Sequence, residues 1–291
     1  MMFYDEDRTS INYAAGCYGS ATAAVANRTA LSSSSTTNTF YCPLRTYFDQ
    51  TKMPLLTDNH SIQLRVYTET LPNSFYVTAG SITSCPINSV NAICEVTRLD
   101  SAVAHNQLVA MQSQPHHYIC HDNHYGTWTI PASTTLSTIV LSSIVGPIAA
   151  LIFTVRQSMV ATSATVNPWS YIPLTSFHLL DAASTSLTGG QPTPSTFATN
   201  ILNMNWMKSS YNTEQGNGPI DSKSYVYIWS FSADFISALE HGRCLGSRKF
   251  SGNEQLQLVL PSNANALTID VYAIGENILE QTEFGIKKIS M

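Results

Sequence analysis

The sequence predicts an all-β protein with short helices, on three observations. First, residues near the C-terminus fall into strand-like runs: Ser224–Ser232 (SYVYIWSFS), Gln255–Leu260 (QLQLVL) and Leu267–Ile274 (LTIDVYAI). In QLQLVL, Leu256, Leu258 and Leu260 share one face and Gln255 and Gln257 the other. Successive side chains of a pleated strand point to opposite sides, so this alternation marks a strand with one packed and one wet face. Second, similar runs recur upstream, at Ile62–Val66, Asn91–Arg98, Thr138–Val145 and Ile148–Gln157. Third, Gly, Pro, Ser and Asn clusters punctuate them. Short strands spaced by turn signals over this length suggest a sandwich or barrel. A break near residues 157–167 divides the 291 residues into halves of about 160 and 130. Each half suits an eight-stranded antiparallel jelly roll.

Taken in order, residues 1–38 are small and polar, with Ser32–Ser35 near their end, and read as an arm or loop. From Thr39 the chain turns aromatic (NTFYCPLRTYFDQ), and Ile62, Leu64 and Val66 alternate with Gln63, Arg65 and Tyr67 as a half-buried strand. Asp100 offers a helix N-cap ahead of Ala102–Gln114, where Val103, Leu108 and Met111 could form a packing face and Pro115 ends the helix. His116–Gly126 reads as a polar loop, followed by a strand at Trp128–Pro131. Gly146-Pro147 reads as a turn between two buried strands, so the uncharged run Ile139–Val155 is not a membrane span. Ser158–Val166 is a linker or an opening strand, Leu187–Pro194 a loop, Asn200–Lys208 strand or short helix, and Tyr211–Ser222 a polar approach to the C-terminal strands. A glycine-punctuated segment, Ala233–Gly252, precedes Gln255–Leu260, and Ile274–Lys288 closes the chain. The expected cores hold Trp229 and Phe231 in the second half and Ile62, Leu64 and Val66 in the first. Leu151 and Phe153 are expected near the junction.

Charged residues make up 11% of the chain, against roughly a quarter in typical soluble domains. Ser, Thr, Asn and Gln fill the deficit, which suits a surface largely covered by neighbours. The net charge of −5 argues against nucleic-acid binding, which needs a dense basic footprint. Six cysteines (Cys17, Cys42, Cys85, Cys94, Cys120, Cys244) form no close pair and read as reduced, buried hydrophobes. Asn27 and Asn59 head glycosylation-type triplets of the kind that arise by chance. The acidic N-terminus MMFYDEDR is no secretory signal.

Candidate chemistry is sparse. His117, Cys120, His121 and His124, within HHYICHDNH, are the weak candidates for a metal site, since Cys and His are zinc ligands. The spacing lacks the paired halves such sites use, so no metal and no cofactor is expected. Arg243, Arg248 and Lys249 lie in a segment without the phosphate-loop pattern and are candidates for contacts to a neighbouring subunit. No GxSxG elbow and no evident carboxylate pair is present, so no catalytic residue is assigned and the chain is not expected to be an enzyme. Tyr225, Tyr227 and Trp229 could form a sugar platform, although such a stripe on a strand is more often core.

In order along the chain, these pieces resemble the double jelly-roll major capsid proteins of the adenovirus, large DNA virus and lipid-containing bacteriophage lineage. Pro43-Leu44, Phe48, Met53–Leu56 and Ile62–Val66 are similar to the family's lead-in to a first-domain strand. Val96–Gln114 is similar to its strand, Leu-Asp and helix, and Leu136–Gln157 to the closing strands of the first roll. YIWSF at Tyr227–Phe231, then Gly242, Gly246 and Phe250–Gly252, resembles a second-domain segment. Val271–Ala273, Asn277–Leu279 and Gly285 resemble the terminal strand and tail. The resemblance covers about two-thirds of the chain, whose 291 residues fit the small phage-type members; residues before Thr39 match nothing in the pattern.

The resemblance implies two consecutive jelly rolls, residues 1–157 (with an arm over about 1–38) and 158–291. It further implies a homotrimeric, pseudo-hexameric capsomer that contacts neighbouring capsomers and minor capsid proteins in an icosahedral shell. The shell would lie over an internal membrane, which the arm would touch. The location implied is the virion, after synthesis in the host cytoplasm. Two other readings fit the same residues: a minor capsid or vertex protein of this fold, and a β-sandwich carbohydrate-binding protein.

Overall fold

A computed structural model describes residues 65–67, 89–91, 98–158, 171–198, 202, 225–232, 246–282 and 285–289. Asp100 caps the first described helix, α1 (Ser101–Ser113), by accepting a 2.9 Å hydrogen bond from the Ala102 amide. The expected packing face on α1 is not realised: Val103 is exposed and Leu108 half-buried, and the Met111 side chain lies outside the described residues.

Among the described residues ten strands follow: β1 (His116–Ile130), β2 (Leu136–Val140), β3 (Val145–Gln157), β4 (Ser176–Leu180), β5 (Thr193–Pro194), β6 (Val226–Ser230), β7 (Arg248–Ser251), β8 (Gln255–Val259), β9 (Leu267–Thr282) and β10 (Gly285–Ile289). A three-residue helix, α2 (Ser195–Phe197), lies between β5 and β6. One sheet runs β1-β9-β3-β6, with β7 added beside β3 and β10 beside β9; the other runs β2-β8-β4-β5. All pairings are antiparallel.

Leaving out the accessory β7 and β10, eight strands remain. The first pairs with the last (β1 with β9), the second with the next to last (β2 with β8), β3 with β6, and β4 with β5. These eight strands are therefore a long antiparallel ribbon with its tip at β4–β5, rolled so that alternate pairs enter opposite sheets. The fold is a jelly roll.

The expected all-β class with short helices and jelly-roll architecture thus hold. The described residues contain one complete roll, His116–Thr282. The expected division at 157/158 is corrected within them: β3, assigned to the close of a first roll, pairs along its length with β9 and β6 of the second. Length and a polar stretch suggested that break, and both are blind to pairing across more than a hundred residues.

The core between the sheets explains the burial pattern. Phe153 on β3 and Tyr227 on β6 stack with centroids 5.4 Å apart, and Phe177 from the opposite sheet meets Phe153 edge-on at 5.0 Å. Leu256, Leu258 and Leu260 are buried as their alternation required. Leu151 and Phe153, expected at a domain junction, sit in this core instead. Trp229 and Phe231 pack at its margin, partly buried, while Tyr227 occupies the position expected of them. The Tyr227 hydroxyl accepts from the Leu174 amide at 2.8 Å and lies 2.8 Å from Ser195 Oγ, so its polar tip is satisfied inside.

Three further expectations change. The turn between β2 and β3 is made at Leu141–Ile144, where the Ile144 amide donates to the Leu141 carbonyl, and not at Gly146-Pro147. Gly146 instead takes φ +108° inside β3, and Pro147 sits beside a register shift at Ile148–Ala150, a place where a sheet tolerates proline. His116–Gly126 is not a loop but most of β1, paired residue for residue with β9. β1 is a sheet-edge strand with a wet face, where polar residues are tolerated despite low strand propensity. Val66 is exposed and outside any strand; Ile62 and Leu64 lie outside the described residues. So do the arm at 1–38 and the segments 92–97, 159–166, 203–208, 211–222 and 233–245. Ile139–Val155 forms β2, its turn and β3, and no described helix is long and apolar enough to cross a membrane.

Candidate functional site

The strand pleat decides the fate of the histidine cluster. His117 and His121 are odd-numbered residues of β1 and face away from the core, whereas Cys120 and His124 point to the other side. Four ligands split across a sheet cannot close one tetrahedron, and among the described residues no group of three or more His, Cys, Asp or Glu side chains is placed to hold a metal. His117 Nε2 lies 3.1 Å from Glu280 Oε2. Lys287 hydrogen-bonds the same carboxylate and, with His117, holds it below the usual carboxylate range. On the other side, Asp122 accepts from Asn277 Nδ2 at 3.0 Å and pairs with Lys288, with His124 Nε2 3.5 Å away. Cys120 is a buried free thiol, and burial raises its pKa. The other five cysteines and both glycosylation-type triplets fall outside the described residues.

His121 stands opposite Glu276 in the β1–β9 register. Both its ring nitrogens are buried without a hydrogen-bond partner. Burial lowers its pKa, and the neighbouring Glu276 partly offsets this.

The subunit-contact candidates separate. Arg248, on β7, has Nη2 3.6 Å from Asp181 Oδ2 of its own chain and keeps an exposed side chain. Lys249 is exposed. Arg243 lies outside the described residues. Of the proposed sugar platform, Tyr227 is fully buried, and Tyr225 and Trp229 pack against the same core.

No local pattern announces the polar network on the outward side of the six-stranded sheet. Arg156 Nε donates to Asp270 Oδ2 at 2.7 Å, and the Tyr125 hydroxyl donates to Asp270 Oδ1 at 2.8 Å. Burial and that bond raise the Tyr125 pKa. The Tyr125 ring leans on Tyr272, 4.8 Å between centroids, and both are exposed. Arg156 and Asp270 are 114 residues apart, so only the β3–β9 pairing brings them together.

Two outward surfaces emerge. The six-stranded sheet carries Arg156, Asp270, Glu276, Glu280 and His117. On this same side Ala150, Ile152, Thr154, Val226 and Ile228 are buried, so β3 is covered on both faces from Ala149 to Val155. A strand hidden on both sides belongs to a sheet with a layer on each face. The four-stranded sheet turns outward Leu136, Thr138 and Val140 on β2, Gln255, Gln257 and Val259 on β8, and Ser176 and His178 on β4, none carrying a formal charge.

No family model and no curated protein matches this sequence. Among solved structures, the chain is similar to the PBCV-1 virus capsid at 15% identity and TM-score 0.45, covering 66% of this chain and 55% of that one. It is similar to PBCV-1 VP54, fitted into a reconstruction of the virophage Sputnik, at 14% identity and TM-score 0.46, with coverage of 66% and 55%. For the Faustovirus major capsid protein the identity is 8% and the TM-score 0.44, covering 62% of this chain and 36% of that one. The chain spans about half the length of the PBCV-1 proteins, 55% in each case. The strand order, not these likenesses, assigns the fold.

Proposed function

We propose that this chain is a structural protein of a virion, a major capsid protein without catalytic role. Three copies form a pseudo-hexameric capsomer, and capsomers tile an icosahedral shell over an internal membrane. The observation that carries this reading is the jelly roll itself, on whose strands the family-like motifs fall: YIWSF starts on β6 and Val271–Ala273 lies mid-β9. Burial of β3 on both faces supports a roll packed side by side with a second layer. Scarcity of charge fits a surface meant to be covered, because hydroxyls and amides satisfy each other at contacts where unpaired charges are costly. Electron microscopy of the purified chain tests this. Three-fold particles with a hexagonal outline are expected, and dispersed single chains at every concentration would overturn it.

One observation favours a second reading, carbohydrate binding: the exposed, tilted pair Tyr125–Tyr272 offers ring faces beside the Asp270 carboxylate. Titration with simple sugars, followed by Tyr fluorescence in the native chain and in Tyr272→Ala, separates the two. Saturable binding lost in the variant would support it, and no response would remove it.

A further inference from the structure

The neutral outward face of the four-stranded sheet has a chemistry that selects its partner. Leu136 and Val140 are 64% and 44% exposed, and Thr138 between them is exposed. Half-buried Gln255, Gln257 and Val259 continue the face, then Ser176 and His178, the last already bonded to Ser186 Oγ at 2.8 Å. We propose that this face meets the same face of a second copy of the chain across a two-fold axis, joining one capsomer to the next. The inference rests on the shell-building reading and names the partner of one of its surfaces.

Charge is the first argument. A two-fold contact is isologous, so each residue meets its own kind or a near neighbour. A charged residue there would face its like or be desolvated unpaired, and both are costly. A face with no formal charge avoids both. Its amides and hydroxyls each donate and accept, so identical residues satisfy one another. A nucleic acid or an acidic peptide would find no cation on it to pair with. Area is the second argument. Three strands of five residues present roughly 250 Å² in projection, from about 3.4 Å per residue and 4.8 Å between strands. A stable pairwise interface needs about 800 Å² per partner. The face therefore supports a weak, reversible contact that many closures in a shell would reinforce.

Sedimentation velocity over a concentration series tests the proposal, on the native chain, on Thr138→Glu with Gln257→Glu, and on Thr138→Lys with Gln257→Lys. Melting by circular dichroism first establishes that both variants fold as the native chain does. The native base species is expected to associate further as concentration rises, a single chain to twice its mass and a trimer, which carries three such faces, to twice its mass and beyond. Each double variant should stay at the base species, and an equimolar mixture of the two should regain the association. Association in the Glu variant alone, no association in the native chain, or no rescue in the mixture would overturn the proposal. The mass of the base species is a separate readout: a single chain there counts against the shell-building reading and not against this face.

Discussion

The two outward surfaces of the jelly roll come from the same chain and obey the same pleat, yet they differ in kind. The face of the six-stranded sheet holds the Arg156–Asp270–Tyr125 network and Glu276 opposite His121, along with buried aliphatics on β3 and β6. The face of the four-stranded sheet is neutral and carries only aliphatic, hydroxyl, amide and imidazole groups. A charge inside a covered face has to be paired to be tolerated, and once paired it holds that face in place. A neutral face has no such internal ties. The first surface is built to hold the molecule together, the second to meet something else.

Substitution should separate them most sharply at Asp270. Arg156 and Asp270 side chains are only 13% and 8% exposed, so Asp270→Asn strands a buried guanidinium and should cost about 3 kcal/mol in denaturant unfolding. A cost under about 0.5 kcal/mol would mean that the pair is solvated and the contrast between the faces is lost. Gly275→Ala comes next. A Cβ there would lie 2.6 Å from the Asp122 carbonyl and 3.1 Å from that of Pro147, both backbone atoms of the flanking strands. The expected loss is about 2 kcal/mol, with the melting temperature lowered accordingly.

The pH dependence is smaller. Burial keeps the His121 pKa low, so the folded chain binds fewer protons at this ring than the unfolded chain does. Its contribution is intact above about pH 6.5, the unfolded value, and is lost as pH falls through that value toward the lowered folded one. Unfolding midpoints measured from pH 8 to 5 should fall less in His121→Leu than in the native chain. The smallest effect belongs to the neutral face: Gln257→Ala should change stability by less than about 0.5 kcal/mol, because the residue ties no elements together.

Legibility in the sequence followed the same division. The alternation of Gln255–Leu260 marked β8 and both its faces, and Asp100 marked the start of α1, because such signals are local. The polar run His116–Gly126 hid β1, since its strand character depends on pairing with β9 about 150 residues away. The β3–β9 pairing removes the division at 157 and, together with β1–β9, assembles the Arg156–Asp270–Tyr125 network, and no local pattern announces either. The metal candidates failed for a related reason: four ligands close in sequence are divided by the pleat once the segment is a strand. The neutral face was foreshadowed by the low overall charge, but its position needed the register of β2, β8 and β4.

The most direct test of the account is the mass of the purified chain by light scattering. A shell-building protein should give a trimer near 95 kDa, three times the 31.8 kDa chain. A single species at 31.8 kDa across the accessible concentration range would contradict it.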